Sequence, residues 1–313
     1  MPASTTTTLA GIIPHELMSG VLLQSMGDHA NLRELCNNQT GFVAYKFGEL
    51  NNLTAAGVVE GAALTPAAVT PIGTRVVASP VEVPAIQLTN LARESQTPDW
   101  IGMSGALGKA LADALNVQVC ALFDDTFSGV RDCASSTDGG GNPAAMDIHT
   151  LELALEIAEG NNALSKAYGG SNGLAFVLHP SQVSALRAAV RASSNYISRE
   201  DIMATFPALN PRGVAFGYYG VPIIASAGVV SSAFVNGAGG GADLETNAVL
   251  AAGNTKKGAL VAINESIGYV MQKEPNIRSE ETALIGSGGT NIVAGYVGNC
   301  ARVSHSLVCV QSA

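Results

Sequence analysis

Apolar residues recur at every fourth position from Met103 through Leu107, Leu111, Leu115 and Val119 to Phe123, which lays one apolar stripe along a helix. Ahead of them Thr97 offers a cap, Pro98 suits the first helical position and Asp99 suits the positive end of the helix dipole. The spacing therefore predicts a single helix from Thr97 to about Phe127. Such a helix would span about 45 Å, more than a small core requires, and reads as a spine. Gly102, Gly105 and Gly108 thin one side near its start, where another backbone can approach.

Around the spine the period changes. The opening "IIPHELMSGVLLQSMG" places Pro14 at a helix start and Leu17, Val21 and Leu22 on a short apolar face, predicting an arm with one helix. From Gly41 to about Leu88 the alternation is of strand type, as at Val81-Glu82-Val83, broken by "ELNNLTAAGVVEGAALTPAAVTP". This predicts two long strands joined by an extended loop, too long for a compact monomer but acceptable if a neighbouring subunit covers it. Beyond the turn-rich "SSTDGGGNPAA" the pattern predicts an amphipathic helix from Asp147 to about Ala167, a strand Leu174 to Leu178 and a helix Pro180 to Ala192. Strands are then expected around Val214 to Ser226 and Ala248 to Gln272, giving a mixed α/β module. The tail from Asn291 returns to strand alternation, and a chain ending this way commonly pairs with sheet laid down earlier.

Composition adds a reason for association. Of 313 residues, 47% are hydrophobic and only 13% charged, about half the usual charged fraction, so a solitary monomer would struggle to cover itself with charge. Net charge is −9 with 16 Lys plus Arg, and no basic run exceeds Lys256-Lys257, which does not support a dedicated nucleic-acid surface. The cysteines (Cys36, Cys120, Cys133, Cys300, Cys309) form no C-x-x-C, and the amino terminus lacks a signal-peptide pattern, so reduced thiols and a cytoplasmic origin are expected. Gly220 to Val235, the longest apolar segment, contains Pro222 and falls short of the roughly 20 residues of a membrane span.

Candidate chemistry is sparse. In His179-Pro180-Ser181 the side chains of the histidine and serine are expected to diverge, and no G-x-S-x-G elbow surrounds the serine, so the triplet reads as a strand-to-helix corner. "GAGGGA", Gly237 to Ala242, matches a dinucleotide fingerprint with Glu265 at a suitable distance, but the segment after it is too short for a crossover helix, and a loop is expected. "DGGGNP" and "GSGGT" lack the Lys-Ser/Thr of a phosphate loop and read as turns. The histidines (His15, His29, His149, His179, His305) are too scattered for a metal site, and Asp124-Asp125 reads as solvated. Trp100 reads as an anchor for the spine's first turn. No catalytic, cofactor-binding or metal-ligating residue is nominated, and no cofactor is expected.

The order of elements, with "VVEGAALTPAAVTP", "SQTPDWIGMSGALGKALADAL", "AFVLHPSQVSAL" and "GYYGVPIIAS", resembles the major capsid proteins of tailed bacteriophages with the Hong Kong 97 fold. The resemblance implies an α+β (mixed) fold with an amino-terminal arm at 1–40 and an extended β-loop at 41–87. A peripheral domain with the spine helix would take 88–147 and 276–313, and an α/β axial domain 148–275. It also implies a structural protein without catalysis, self-assembling as pentamers and hexamers into an icosahedral shell around double-stranded DNA, without sequence-specific binding and without a membrane. The location would be the virion capsid, assembled in the host bacterial cytoplasm. Partners implied are further copies of the chain, a portal protein and, in some members, a decoration or cement protein. An acidic chain suits an inner wall that must not trap DNA. Some members crosslink through a lysine in the extended loop, but here Lys46 stands at its base and none occurs from Leu50 to Ala85, so no such crosslink is expected. The chain reaches the arm at once from Met1, which makes a separate scaffolding protein the expectation. Two other readings stay open: an encapsulin-like nanocompartment shell, and a nucleotide-binding α/β enzyme using Gly237 to Ala242.

Overall fold

Helix α1 (His15–His29) buries Met18, Leu22 and Met26, four residues apart, along one side. It begins the described part of a computed structural model of the chain, which covers residues 15–50, 71–84, 86–89, 100–124, 133–135, 144–160, 173–190, 214–218, 221–229, 231–235, 249–282, 289–304 and 306–313. A 3-10 turn (Asn31–Leu35) leads into β1 (Asn37–Thr40). Strands β2 (Ala44–Leu50) and β3 (Pro71–Val77) then pair antiparallel as a separate two-stranded hairpin. Residues 51–70, where the connecting loop is expected, lie outside the described residues. Two short strands, β4 (Ser79–Glu82) and β5 (Ile86–Thr89), precede the spine.

The spine is α2 (Trp100–Ala121), closed by a 3-10 turn at Leu122–Asp124. Leu107, Leu111, Leu115, Val119 and Phe123 are all buried, as their spacing requires, while Met103 is half-buried. The 22 described residues of the helix measure about 33 Å, and at Leu122 the chain tightens into 3-10 geometry. Residues 97–99, the expected cap, lie outside the described residues. The glycines divide their roles. A Cβ on Gly108 would stand 2.6 Å from the Leu22 carbonyl oxygen and 2.9 Å from Ser25 Cβ, so this glycine permits α1 to touch α2. Ser25 Oγ donates to the Gly105 carbonyl at 2.8 Å in the same contact, whereas Gly102 is exposed.

The remaining described elements are β6 (Cys133–Ser135), α3 (Ile148–Gly160), β7 (Leu174–Leu178), α4 (Pro180–Val190), β8 (Val214–Tyr218), β9 (Val221–Ala225), β10 (Ser231–Val235), β11 (Val249–Ala262), β12 (Ile267–Thr282), β13 (Gly289–Arg302) and β14 (Val308–Ser312). Helix α3 starts because Asp147 Oδ1 accepts from the Thr150 backbone N–H at 2.8 Å and from its hydroxyl at 2.5 Å. The rest of the helix predicted to Ala167 lies outside the described residues. One sheet, in the order β6-β14-β11-β7-β9-β8 with β10 beside β11, is covered on both faces. Along β7, Ala175 and Val177 enter a core shared with α1 and α2, while Leu174, Phe176 and Leu178 enter a second core under α3 and α4. Full burial of such side chains stabilises by about 1.5–3 kcal/mol each. The other sheet runs β1-β12-β13-β4, with β5 also on β13, and sends Tyr269, Met271, Ile292, Ala294 and Tyr296 into the first core.

The chain leaves the seven-stranded sheet at the turn after β11, so all of β12 belongs to the five-stranded sheet, and it returns after β13, so β14 and the early β6 belong to the seven-stranded one. At the first crossing Asn264 adopts φ 63°, a left-handed conformation that asparagine tolerates. Ser266 Oγ accepts from the Ala262 N–H at 2.8 Å there. The second crossing lies against the first: the Val303 N–H donates to the Ser266 carbonyl at 2.8 Å, and buried Arg302 donates to the Leu307 carbonyl at 2.8 Å. With no glycine or proline between Val249 and Gly268 apart from Gly253 and Gly258, β11 and β12 read in sequence as one stretch.

Candidate assembly surfaces

His179 and Ser181 do meet, contrary to the divergence expected of them. Ser181 Oγ donates to His179 Nδ1 at 2.7 Å and the Ser181 backbone N–H reaches the same nitrogen at 3.2 Å. An Nδ1 that accepts a backbone N–H carries no proton of its own, so the contact is a cap on the first turn of α4. Gln182 completes it: its Oε1 accepts from the His179 N–H at 2.9 Å, and its buried amide donates to the Lys256 carbonyl and to Ser312 Oγ at 3.1 and 2.9 Å. The corner thereby ties β7 and α4 to β11 and β14. Burial, and after it the Lys256 ammonium, hold the His179 pKa below the ordinary histidine value.

The other candidates stay apart. Residues 237–242 and 138–143 lie outside the described residues, and of "GSGGT" only Gly289 and Thr290, opening β13, lie inside. Glu265 sits in the turn between the two sheets, its N–H on the Ala262 carbonyl at 3.2 Å. His29 bonds to the Ser25 carbonyl within α1, His149 is exposed on α3, and 305 and the side chain of His15 lie outside the described residues. Among the described residues no group of three His, Cys, Asp or Glu side chains could hold a metal ion. Asp124 ends the 3-10 turn and 125 lies outside; Trp100 opens α2, but its side chain is not among the described ones. No described helix is long and apolar enough to cross a membrane.

Cys36, Cys120, Cys300 and Cys309 are free and buried. Burial pushes Cys120 and Cys300 up to about 12 and raises Cys36 well above its usual value, so these thiols are held protonated and unreactive. Tyr269 and Tyr296 in the same core are raised by burial too, and Tyr296 donates to Gln118 Oε1 of the spine at 3.2 Å.

What the fold exposes is apolar surface. On one face of the β2–β3 hairpin, Phe47 and Val76 are buried against Val270 of β12, and Tyr45 lies edge-on to Phe47 with ring centroids 4.9 Å apart. Phe42, Val43 and Val77, at the open end of the hairpin, are 46%, 59% and 48% exposed. Along α2, Ile101 in the first turn and Val117 on the side away from the buried stripe are likewise more than a third exposed, and so is Leu23 of α1. Apolar side chains left in water in this number suit a subunit whose neighbours cover them. None was singled out from the sequence. Val117 breaks the spacing of the buried stripe, which is the one signal that could have found it.

No protein-family model matches the chain, and no curated protein does. Solved structures match along nearly its whole length. The capsid of Ralstonia phage GP4 matches with TM-score 0.60 at 11% identity, covering 88% of this chain and 84% of the phage chain. The head structure of Helicobacter pylori bacteriophage KHP40 matches with TM-score 0.59 at 12% identity, covering 91% and 90%. A virus-like particle from Pyrococcus furiosus matches with TM-score 0.52 at 10% identity, covering 96% of this chain and all of the other. At such identities the likeness is one of fold.

Proposed function

We propose that this chain, which has the Hong Kong 97 fold of tailed-phage capsid proteins, is itself a structural major capsid protein that self-assembles into an icosahedral shell. The observation that carries the reading is the match of fold over about nine-tenths of both chains in two phage heads. The exposed apolar residues of the hairpin and the spine support it, since closed shells turn such surfaces into interfaces. In this reading α2 with β12 and β13 forms the peripheral domain and the seven-stranded sheet with α3 and α4 the axial one, with 1–40 as arm and 41–87 as extended loop, whose respective strands β1 and β4 join the peripheral sheet. Pentamers and hexamers enclose double-stranded DNA in the virion, with a separate scaffolding protein, a portal and a decoration or cement protein as partners. Assembly takes place in the host bacterial cytoplasm, and the role involves no catalysis.

Electron microscopy of the expressed full chain tests this. Closed shells built of pentamers and hexamers are expected; a small soluble oligomer under every assembly condition would refute it. A nanocompartment shell is the alternative reading, and the match to a virus-like particle from Pyrococcus furiosus disfavours it. Particle contents separate the two: nuclease-protected DNA marks the virus and a packaged protein marks the compartment.

A further inference from the structure

Strand β6 lies at one edge of the seven-stranded sheet and is held to β14 by three register pairs, Cys133 with Cys309, Ala134 with Val310 and Ser135 with Gln311. The other side of β14 meets β11 over five pairs. Just past β14 the Ala313 N–H donates to the Ala144 carbonyl at 2.8 Å, so the chain that follows β6 also closes over the carboxyl-terminal strand. A short edge strand is the part of a sheet that opens first, and opening here would turn β14 itself into an edge.

Two cysteines stand at the first of those pairs. Neighbouring strands run about 4.8 Å apart, which brings facing Cα atoms within the roughly 4.4–6.8 Å that a disulfide spans, near its short end. Parallel register places both residues on the same face of the sheet. Cys309 is buried and free, and Gln311 Nε2 donates to its Sγ at 3.6 Å, which holds the sulfur in place. Cys36 and Cys300 are not so placed. Cys300 faces Tyr269, and Tyr269 faces Asn38, so Cys36 just before β1 is two strands, about 10 Å, from Cys300.

We propose that Cys133 and Cys309 join in a disulfide once the chain leaves a reducing compartment, and that the bond locks β6 onto β14. The timing rests on the assembly reading above, in which subunits are made in a cytoplasm that keeps thiols reduced and persist in particles outside it. The oxidant is a small-molecule disulfide such as oxidised glutathione. The thiolate of one cysteine attacks it, forms a mixed disulfide and releases one glutathione. The second cysteine then attacks the protein sulfur and releases the other. Two electrons pass to the glutathione pair, and the two thiol protons leave with it. A bond made near the short end of the allowed Cα separation is readily reduced, which suits a lock that stays open inside the cell.

Peptide mapping of the full chain tests it. Reduced subunits are exposed to oxidised glutathione, quenched with acid, unfolded in N-ethylmaleimide and cut with trypsin without reductant. Cleavage after Arg131, Lys166 and Arg302 should release 132–166 joined to 303–313 from more than half of the chains, with Cys36, Cys120 and Cys300 still thiols. The oxidised subunit should melt about 5 °C above the reduced one. Cys133→Ser should remove both the joined peptide and the rise, and so should Cys309→Ser, or Cys309→Ala if circular dichroism shows that serine disturbs the fold. Joined peptide in fewer than a tenth of folded chains would overturn the proposal, as would a rise that survives Cys133→Ser or a melting temperature that oxidation leaves unmoved. Shells from cells opened in N-ethylmaleimide should give separate peptides and shells released without it joined ones; joined peptides in both would overturn the timing. The bond itself is read on unassembled subunits, so a chain that never forms shells refutes the assembly reading and leaves that result standing.

Discussion

Phe47→Ala tests whether the hairpin is keyed to the body through one aromatic ring. Phe47 is 4% exposed and shares a small cluster with Val76 and Val270, with Tyr45, Ala78, Ala301 and Val303 partly buried around it. The ring fills the place of a missing side chain, because a Cβ on Gly268 would run into three of its carbons. Truncating a buried phenylalanine costs about 3–5 kcal/mol in a closed core. Only three residues of this cluster are buried, so the low end applies, about 3 kcal/mol, or about a hundredfold in equilibrium. The seven-residue ladder between β2 and β3 does not include that contact, so the loss falls on docking of the hairpin. Hydrogen exchange of 44–50 and 71–77 should accelerate by about that factor, while the main thermal transition moves little. Gly268→Ala should destabilise the wild type by about 1–3 kcal/mol through overpacking, yet be neutral once Phe47 is alanine. Exchange in both strands within twofold of wild type after Phe47→Ala, or an equal cost of Gly268→Ala in both backgrounds, would refute the reasoning.

Gly108→Val should lower the melting temperature by pressing a side chain against the Leu22 carbonyl, at a cost of about 1–3 kcal/mol, whereas Gly102→Ala on the exposed side should be neutral or stabilising; calorimetry separates them. His179 has its folded pKa depressed, so the unfolded chain binds the proton more readily. Its contribution is intact above the unfolded value of about 6.5 and is lost as pH falls below it. His179→Asn, which keeps a capping side chain without a titrating ring, should therefore reduce the drop in melting temperature between pH 7.5 and 5; an unchanged drop would count against the cap. Replacing 51–70 by a short turn should leave subunits folded, because the ladder closes at Leu50 and Pro71 without that segment, but should prevent stable shells; normal particles would contradict the predicted role of the loop.

The spine, the hairpin strands and the β7–α4 corner could be read from the sequence because each rests on a period of two or four residues or on a local cap. The stripe Leu107-Leu111-Leu115-Val119 needs only helical geometry to face one way, and His179-Pro180 needs only the restriction that proline places on its neighbour. Other features depend on partners far along the chain. β11 and β12 alternate alike, and nothing local says that Leu260 pairs with Phe176 and Val308 while Tyr269 pairs with Asn38 and Cys300. Sheet membership is settled by which distant edges can bury both faces of a strand. The junction of Ser266, Arg302 and Ser306, buried side chains drawn together from two crossings, was accordingly invisible beforehand. So was the pairing of Lys46 with Arg75, since register between strands separated by twenty residues follows from Phe47 and Val76 seeking the same apolar seat on β12. Periodicity reports which side of an element is apolar, and only the assembled core decides what that side will meet.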